Sequence, residues 1–410
     1  MPRPSRSLAV HACAVTLSGL LFVMLFASRT AQAQRNDFSP IYPIYFSTAG
    51  PTMDANGTLY GTTEYGGIGS CYVGCGTVFA VRRTDSGWQG HIIYEFNGED
   101  GGPPRSRVII GPGGLLYGTT IGGGGGGQCT VWGPGCGTVY SLTPTLSGPA
   151  VETVLYRFQG ASDGSGPNAE VVFDQAGNMY GTTTYGGDYG LGTVFKLTRS
   201  GSEWTETAIY SFTGGLDGES PFTPLTFDAA GNLYGTATAG GSGGQGTVFE
   251  LSPSGDGWTE TTLYSFTGGN DGGLPYGGVV FDGAGNLYGD TSDYGPPGDA
   301  GTAFELTPAG GSWVFTLLAG FPYYGGGGQG TSPGPHASLA RDQEGNLYGT
   351  TFLDGPLQGG TVFKLTRNGN GWTYTDLLNS RDDPSSNVIF DRQGNLYFTA
   401  YGGGVFQMAP

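Results

Sequence analysis

A Leu-Tyr-Gly tripeptide, or a close variant of it, recurs seven times along the 410 residues, and this recurrence restricts the fold more than any other feature. Its tyrosines are Tyr60, Tyr117, Tyr180, Tyr234, Tyr288, Tyr348 and Tyr397, with spacings of 57, 63, 54, 54, 60 and 49 residues. Each copy holds four short β-type runs separated by turn residues. The fourth is the most complete: Pro224-Leu225-Thr226-Phe227-Asp228, Gly231-Asn232-Leu233-Tyr234-Gly235-Thr236, Gly246-Thr247-Val248-Phe249-Glu250-Leu251, then Trp258 to Phe266. Turn chemistry recurs with the strands. The first two runs are joined by an Asp followed by Gly-Asn, since Asp caps nearby amides and Gly or Asn tolerates positive φ. The third and fourth are joined by a Gly-containing turn ending in Trp88, Trp204, Trp258, Trp313 or Trp372.

A unit of four short strands cannot cover both of its faces, but it can stack between like units. Four antiparallel strands per period near 55, with no helical pattern, predict an all-β fold: a seven-bladed β-propeller. The seventh copy supplies only three runs before Pro410. The missing fourth matches Ile41-Tyr42-Pro43-Ile44-Tyr45-Phe46, which has the character of Ile209-Tyr210-Ser211-Phe212. The N-terminal strand is therefore expected to complete the last blade, close the ring and leave no free sheet edge.

The unit Leu-Tyr-Gly-Thr-Thr…Gly-Gly…Gly-Thr-Val-Phe-x-Leu resembles the GloVer-type tandem repeat of exported bacterial proteins, many of which carry one of several C-terminal surface anchors ("choice-of-anchor"). The resemblance covers roughly residues 40–410. It implies an exported repeat protein and brings no established activity with it. An anchor is not expected here, where the last unit runs to Pro410.

Composition narrows the compartment and the partners. Residues 1–33 read as a secretory signal: Arg3 and Arg6, an apolar stretch from Ala12 to Ala27, and an Ala31-Gln32-Ala33 cleavage site. Residues 34–410 are then a single propeller domain without a membrane span, expected to be a monomer, secreted or periplasmic. The three arginines removed with the signal reduce the 16 bases to 13, against 33 acids. Such a chain offers phosphates no basic footprint, so nucleic acid is excluded as a partner. With only Lys196 and Lys364 as lysines, Schiff-base chemistry is nearly excluded, and no cofactor is expected. Export would put Cys71, Cys75, Cys129 and Cys136 in an oxidising setting. Of three pairings, the local ones, Cys71–Cys75 and Cys129–Cys136, are expected because each brackets one loop; a four-thiolate zinc site is the disfavoured rival.

What recurs in every copy is framework, and what varies at a fixed slot inside it is a candidate for function. Asp100, Asp163, Asp217 and Asp271, in the loops between blades, read as turn formers. A sharper signal follows them. In six copies a proline precedes a different residue each time: Arg105, Asn168, Phe222, Tyr276, His336 and Ser385. Each lies six residues before the turn Asp, or before Gly111 that replaces it. They are expected to ring one mouth of the channel as a ligand-binding site of polar and aromatic side chains. Trp132, in the Gly122 to Cys136 loop, is a further candidate for stacking on a sugar face, and Tyr65, Tyr185, Tyr294 and Tyr401 fall near the same mouth. No metal site and no catalytic constellation stands out. The expected function is binding of an extracellular glycan or surface component. The alternatives are an enzyme acting on polysaccharide through His336 and carboxylates at the same mouth, or a passive surface protein.

Overall fold

A computed structural model describes residues 39–69, 71, 74–127, 129, 134–145, 148–323, 334–369 and 371–409. The segment read as a secretory signal, residues 1–33, and Trp132 lie outside the described residues. Seven antiparallel sheets follow one another along the chain, each a meander with its strands in chain order. This is a seven-bladed β-propeller. The fourth blade is typical: Thr226–Phe227, Leu233–Ala237, Thr247–Ser254 and Gly257–Ser265. No helix of the described residues is long and apolar enough to cross a membrane.

The repeated residues each have a mechanical task. In the fourth blade, Asp228 Oδ1 accepts from the amides of Ala230 and Asn232 at 2.8 and 2.9 Å. Its Oδ2 accepts from the Asn232 side chain at 2.8 Å and the Tyr234 hydroxyl at 3.3 Å. One carboxylate thus ties the turn to the tyrosine of the Leu-Tyr-Gly motif, and Asp, Asn and Tyr recur together for that reason. The inter-blade aspartates do similar work: Asp217 accepts from the Tyr210 hydroxyl at 2.9 Å and the Thr213 amide at 2.7 Å. The glycine of Gly-Thr-Val is demanded by the neighbouring blade. Gly246 has φ +99°, and a Cβ there would lie 2.6 Å from the ring of Pro275.

Blades adhere through aromatic pairs and hydroxyls. In blades one to five the Phe at the end of the fourth strand meets the ring of the next blade's third strand, as in Phe158–Phe195, Phe212–Phe249 and Phe266–Phe304, with centroids 5.2 Å apart. Nearer the axis, a second-strand Thr donates to a carbonyl in the segment that leads into the innermost strand of the following blade. The bonds are Thr62 to Ser106, Thr119 to Ala169, Thr182 to Thr223, Thr236 to Gly277, Thr350 to Ser386 and Thr399 to Ala49, all 2.9–3.1 Å.

The Thr399 bond crosses the seam where the chain closes on itself. There the last sheet has three strands, Ile389–Phe390, Leu396–Ala400 and Gly404–Met408. The N-terminal segment joins it as the fourth element: Ile41 N–H donates to Val405 O at 2.8 Å, and Val405 N–H to Tyr42 O at 3.0 Å. Tyr42 opposite Val405 repeats the pairing of Tyr210 with Val194, so the expected register is met. The contact is a single bridge instead of a full strand. Ile41, Tyr42 and Ile44 pack against Phe79, Tyr397 and Val405 to complete the seam. Both disulfides are the local ones, Cys71–Cys75 and Cys129–Cys136.

A fourth-strand position facing the preceding blade carries Glu152, Glu206 and Glu260 in three consecutive blades. Burial first, and then the charge of Asp100, pushes the Glu152 carboxyl up to about 7. Burial and Asp163 push Glu206 up to about 8. Burial, with Asp217 adding to it against a hydrogen bond from Thr262, pushes Glu260 up to about 7. Folding raises these values above the ordinary 4.5, so the folded state holds protons that the unfolded chain releases. The stability they allow is complete below about pH 4.5 and is lost as pH rises through 7–8. Thermal melts from pH 5 to pH 8 should therefore show a falling melting temperature, and the triple Glu→Gln variant should show a shallower fall. An equally steep fall in the triple variant would rule these carboxyls out as its source.

Candidate functional site

Each innermost strand begins at the face that also carries the inter-blade loops. The proline ahead of it is docked on the previous blade's glycine and fixes φ, so the next side chain is aimed towards the axis. Arg105, Asn168, Phe222, Tyr276, His336 and Ser385 all line one cavity of about 370 Å³. The first blade adds Thr48, six residues before Asp54, so the ring has seven members, one per blade. Sequence reading missed Thr48 because Ser47 stands where the other copies have proline.

Two further sets of wall residues were missed but for Tyr401, which the sequence had already placed near this mouth. Strand alternation returns the side chain two positions on to the same face, which brings in Arg107, Glu170, Pro224, Ser338 and Asn387. The second strand ends at this mouth as well, and the residue after its last Thr or Ala contributes Glu64, Phe352 and Tyr401. That position varies between copies, so the rule that singled out the first ring would have found it one strand over.

The wall divides by chemistry. Over blades four to six the rings touch in series: Phe222–Tyr276 at 5.5 Å, Tyr276–His336 at 5.1 Å and His336–Phe352 at 5.1 Å between centroids. Blades one to three are polar. Arg105 donates to Glu64 at 3.0 Å, and Arg107 donates to Glu170 at 2.9 Å. Thr48 donates to the other oxygen of Glu64 at 3.0 Å. Two arginines balance two glutamates, so the cavity offers strong hydrogen-bonding groups with little net charge. Asn168 is 6% exposed, and neither its amide nitrogen nor its carbonyl oxygen has a protein partner; the hydroxyl of Ser385, also 6% exposed, has none. Buried polar groups are seldom left open, so both mark places where a ligand or water belongs.

Tyr185 and Tyr294 stand 53% and 41% exposed on loops of this face. Among the described residues no group of three or more His, Cys, Asp or Glu is placed to hold a metal ion.

Residues 133–333 match the family model of the Gloeobacter/Verrucomicrobia repeat. No curated protein matches. Among solved structures, a gluconolactonase from Xanthomonas campestris is similar at 14% identity, over 90% of this chain and 87% of that one, with a TM-score of 0.44.

Proposed function

We propose, for a chain built from the Gloeobacter/Verrucomicrobia repeat, that the axial cavity binds an uncharged extracellular saccharide, and that the protein is exported and recognises its ligand without cleaving it. Asn168 is the observation that carries this reading. An amide unpaired at both ends beneath the cavity wall is matched by a group that donates and accepts at one place, which a hydroxyl does. The rest of the wall fits the same chemistry. A sugar ring has an apolar C–H face for the arc from Phe222 to Phe352, and hydroxyls at its edge for the paired arginines and glutamates. A charged ligand would have to break one of those pairs to be neutralised.

The test is a glycan array followed by calorimetry. Neutral saccharides are expected to bind the parent protein, and Asn168→Ala to weaken that binding about tenfold through the loss of its hydrogen bonds. Asn168→Ala should melt like the parent, because that amide makes no internal bond. A preference for anionic glycans, or unchanged binding by Asn168→Ala, would refute the reading. Release of reducing ends from a bound glycan would favour the polysaccharide-acting enzyme.

A further inference from the structure

We infer that the cavity takes the end of a saccharide chain and not an internal stretch, an inference that rests on the saccharide reading above. Three features of the wall carry it. First, the wall is closed on all sides. Thr48, Arg105, Asn168, Phe222, Tyr276 and His336 stand side by side around the axis, and Ser385 completes the circle. A chain bound through its middle must leave the site in two directions, which needs a groove with two open ends.

Second, the polar groups are arranged in depth. The Arg105–Glu64 pair sits at the first ring, and Arg107 with Glu170 sits two residues further along the segments that lead into the innermost strands. Two residues of extended chain advance at most about 7 Å, close to the span of one sugar ring. A ligand that uses both pairs therefore points down the axis, and one lying across the mouth reaches only the upper pair. Third, about 370 Å³ is near the small end of ligand cavities, roughly 300–1,000 Å³, and accommodates a terminal unit or two. The exposed Tyr185 and Tyr294 are left to meet the units that remain outside.

The experiment pairs neutral disaccharides (maltose, cellobiose, laminaribiose, mannobiose and xylobiose) with polymers of the same linkage immobilised through the reducing end. For the pair that binds, the free disaccharide should displace the protein from the polymer completely, and saturation should reach one protein per free chain end. Arg107→Ala, at the deeper level, should weaken disaccharide and polymer binding by the same factor. Chain-end recognition is overturned if the polymer holds several copies of the protein per chain, if the disaccharide fails to compete, or if Arg107→Ala spares polymer binding. Should those results appear while Asn168→Ala still weakens binding about tenfold, the saccharide reading survives and only chain-end recognition falls. Binding by no member of the panel overturns both.

Discussion

Asp290→Asn should melt well above the parent protein at pH 8 and close to it at pH 4. The other six blades place a Thr at this position, and its hydroxyl donates to a carbonyl just ahead of the next blade's innermost strand. The fifth blade has Asp290 there, fully buried, with neither carboxyl oxygen accepting a hydrogen bond. Opposite it, Gly277 replaces the Ser or Thr that some copies use, which frees room for the longer side chain. A Cβ on Gly277 would lie 2.6 Å from Asp290 Oδ1 and 3.0 Å from the Ala337 carbonyl oxygen, so both oxygens face the space that the missing side chain leaves. A buried carboxyl with no donor and a carbonyl nearby is better held as the neutral acid. Burial pushes the Asp290 carboxyl well above the usual carboxylate range, and the neutral acid can donate to Ala337 as the threonines do to their partners.

The sign follows directly. A carboxyl whose folded value is raised contributes fully below its unfolded value, near 3.9, and loses stability as pH climbs, by up to about 1.4 kcal/mol per pH unit until the folded value is reached. The asparagine keeps a donor and cannot ionise, so the gap between variant and parent should widen steadily with pH. Asp290→Ala at pH 4 should cost about 1–3 kcal/mol for the stranded carbonyl. If Asp290→Asn melts below the parent at pH 8, the side chain is ionised and the account is wrong.

Removing residues 39–47 should open the ring. The truncation loses the Ile41 and Tyr42 bonds to Val405 and those of Phe46 with Tyr401 and Glu64. It also strips Ile41, Tyr42 and Ile44 from the seam. Those three side chains are partly buried and are worth roughly 2–5 kcal/mol between them, enough to lower the melting temperature by about 5 °C. The outer edge of Gly404–Met408 would then be unpaired, and an exposed edge recruits other chains. Calorimetry and light scattering should show an earlier transition with self-association. A truncated chain that melts with the parent and stays dispersed would show that one hydrogen-bonded bridge and its three side chains contribute little to closure.

The framework was legible because every unit repeats the same local code. Leu-Tyr-Gly strands, Asp…Gly-Asn turns and local cysteine pairs involve residues close in the chain, and each appears where its spacing puts it. The mouth was partly legible. Variation after a fixed proline marked Arg105, Asn168, Phe222, Tyr276, His336 and Ser385, and the same comparison one strand over marks Glu64, Phe352 and Tyr401. Asp290 was equally visible as the one break in a column of threonines, but its meaning needs the carbonyl of Ala337, 47 residues away in the chain.

Short-range pattern, then, decided the number of blades, their strand order and the place where the ends meet, because antiparallel pairing and turn geometry act between near neighbours. Curvature decided the rest. Only when seven wedges wrap one axis do Arg107 and Glu170, 63 residues apart, come within 2.9 Å. The same wrapping brings four separate blades' worth of polar groups to face an aromatic arc and leaves Asn168 buried without a partner. Such contacts depend on the angle between blades, which is set by the whole ring and written in no single copy of the repeat.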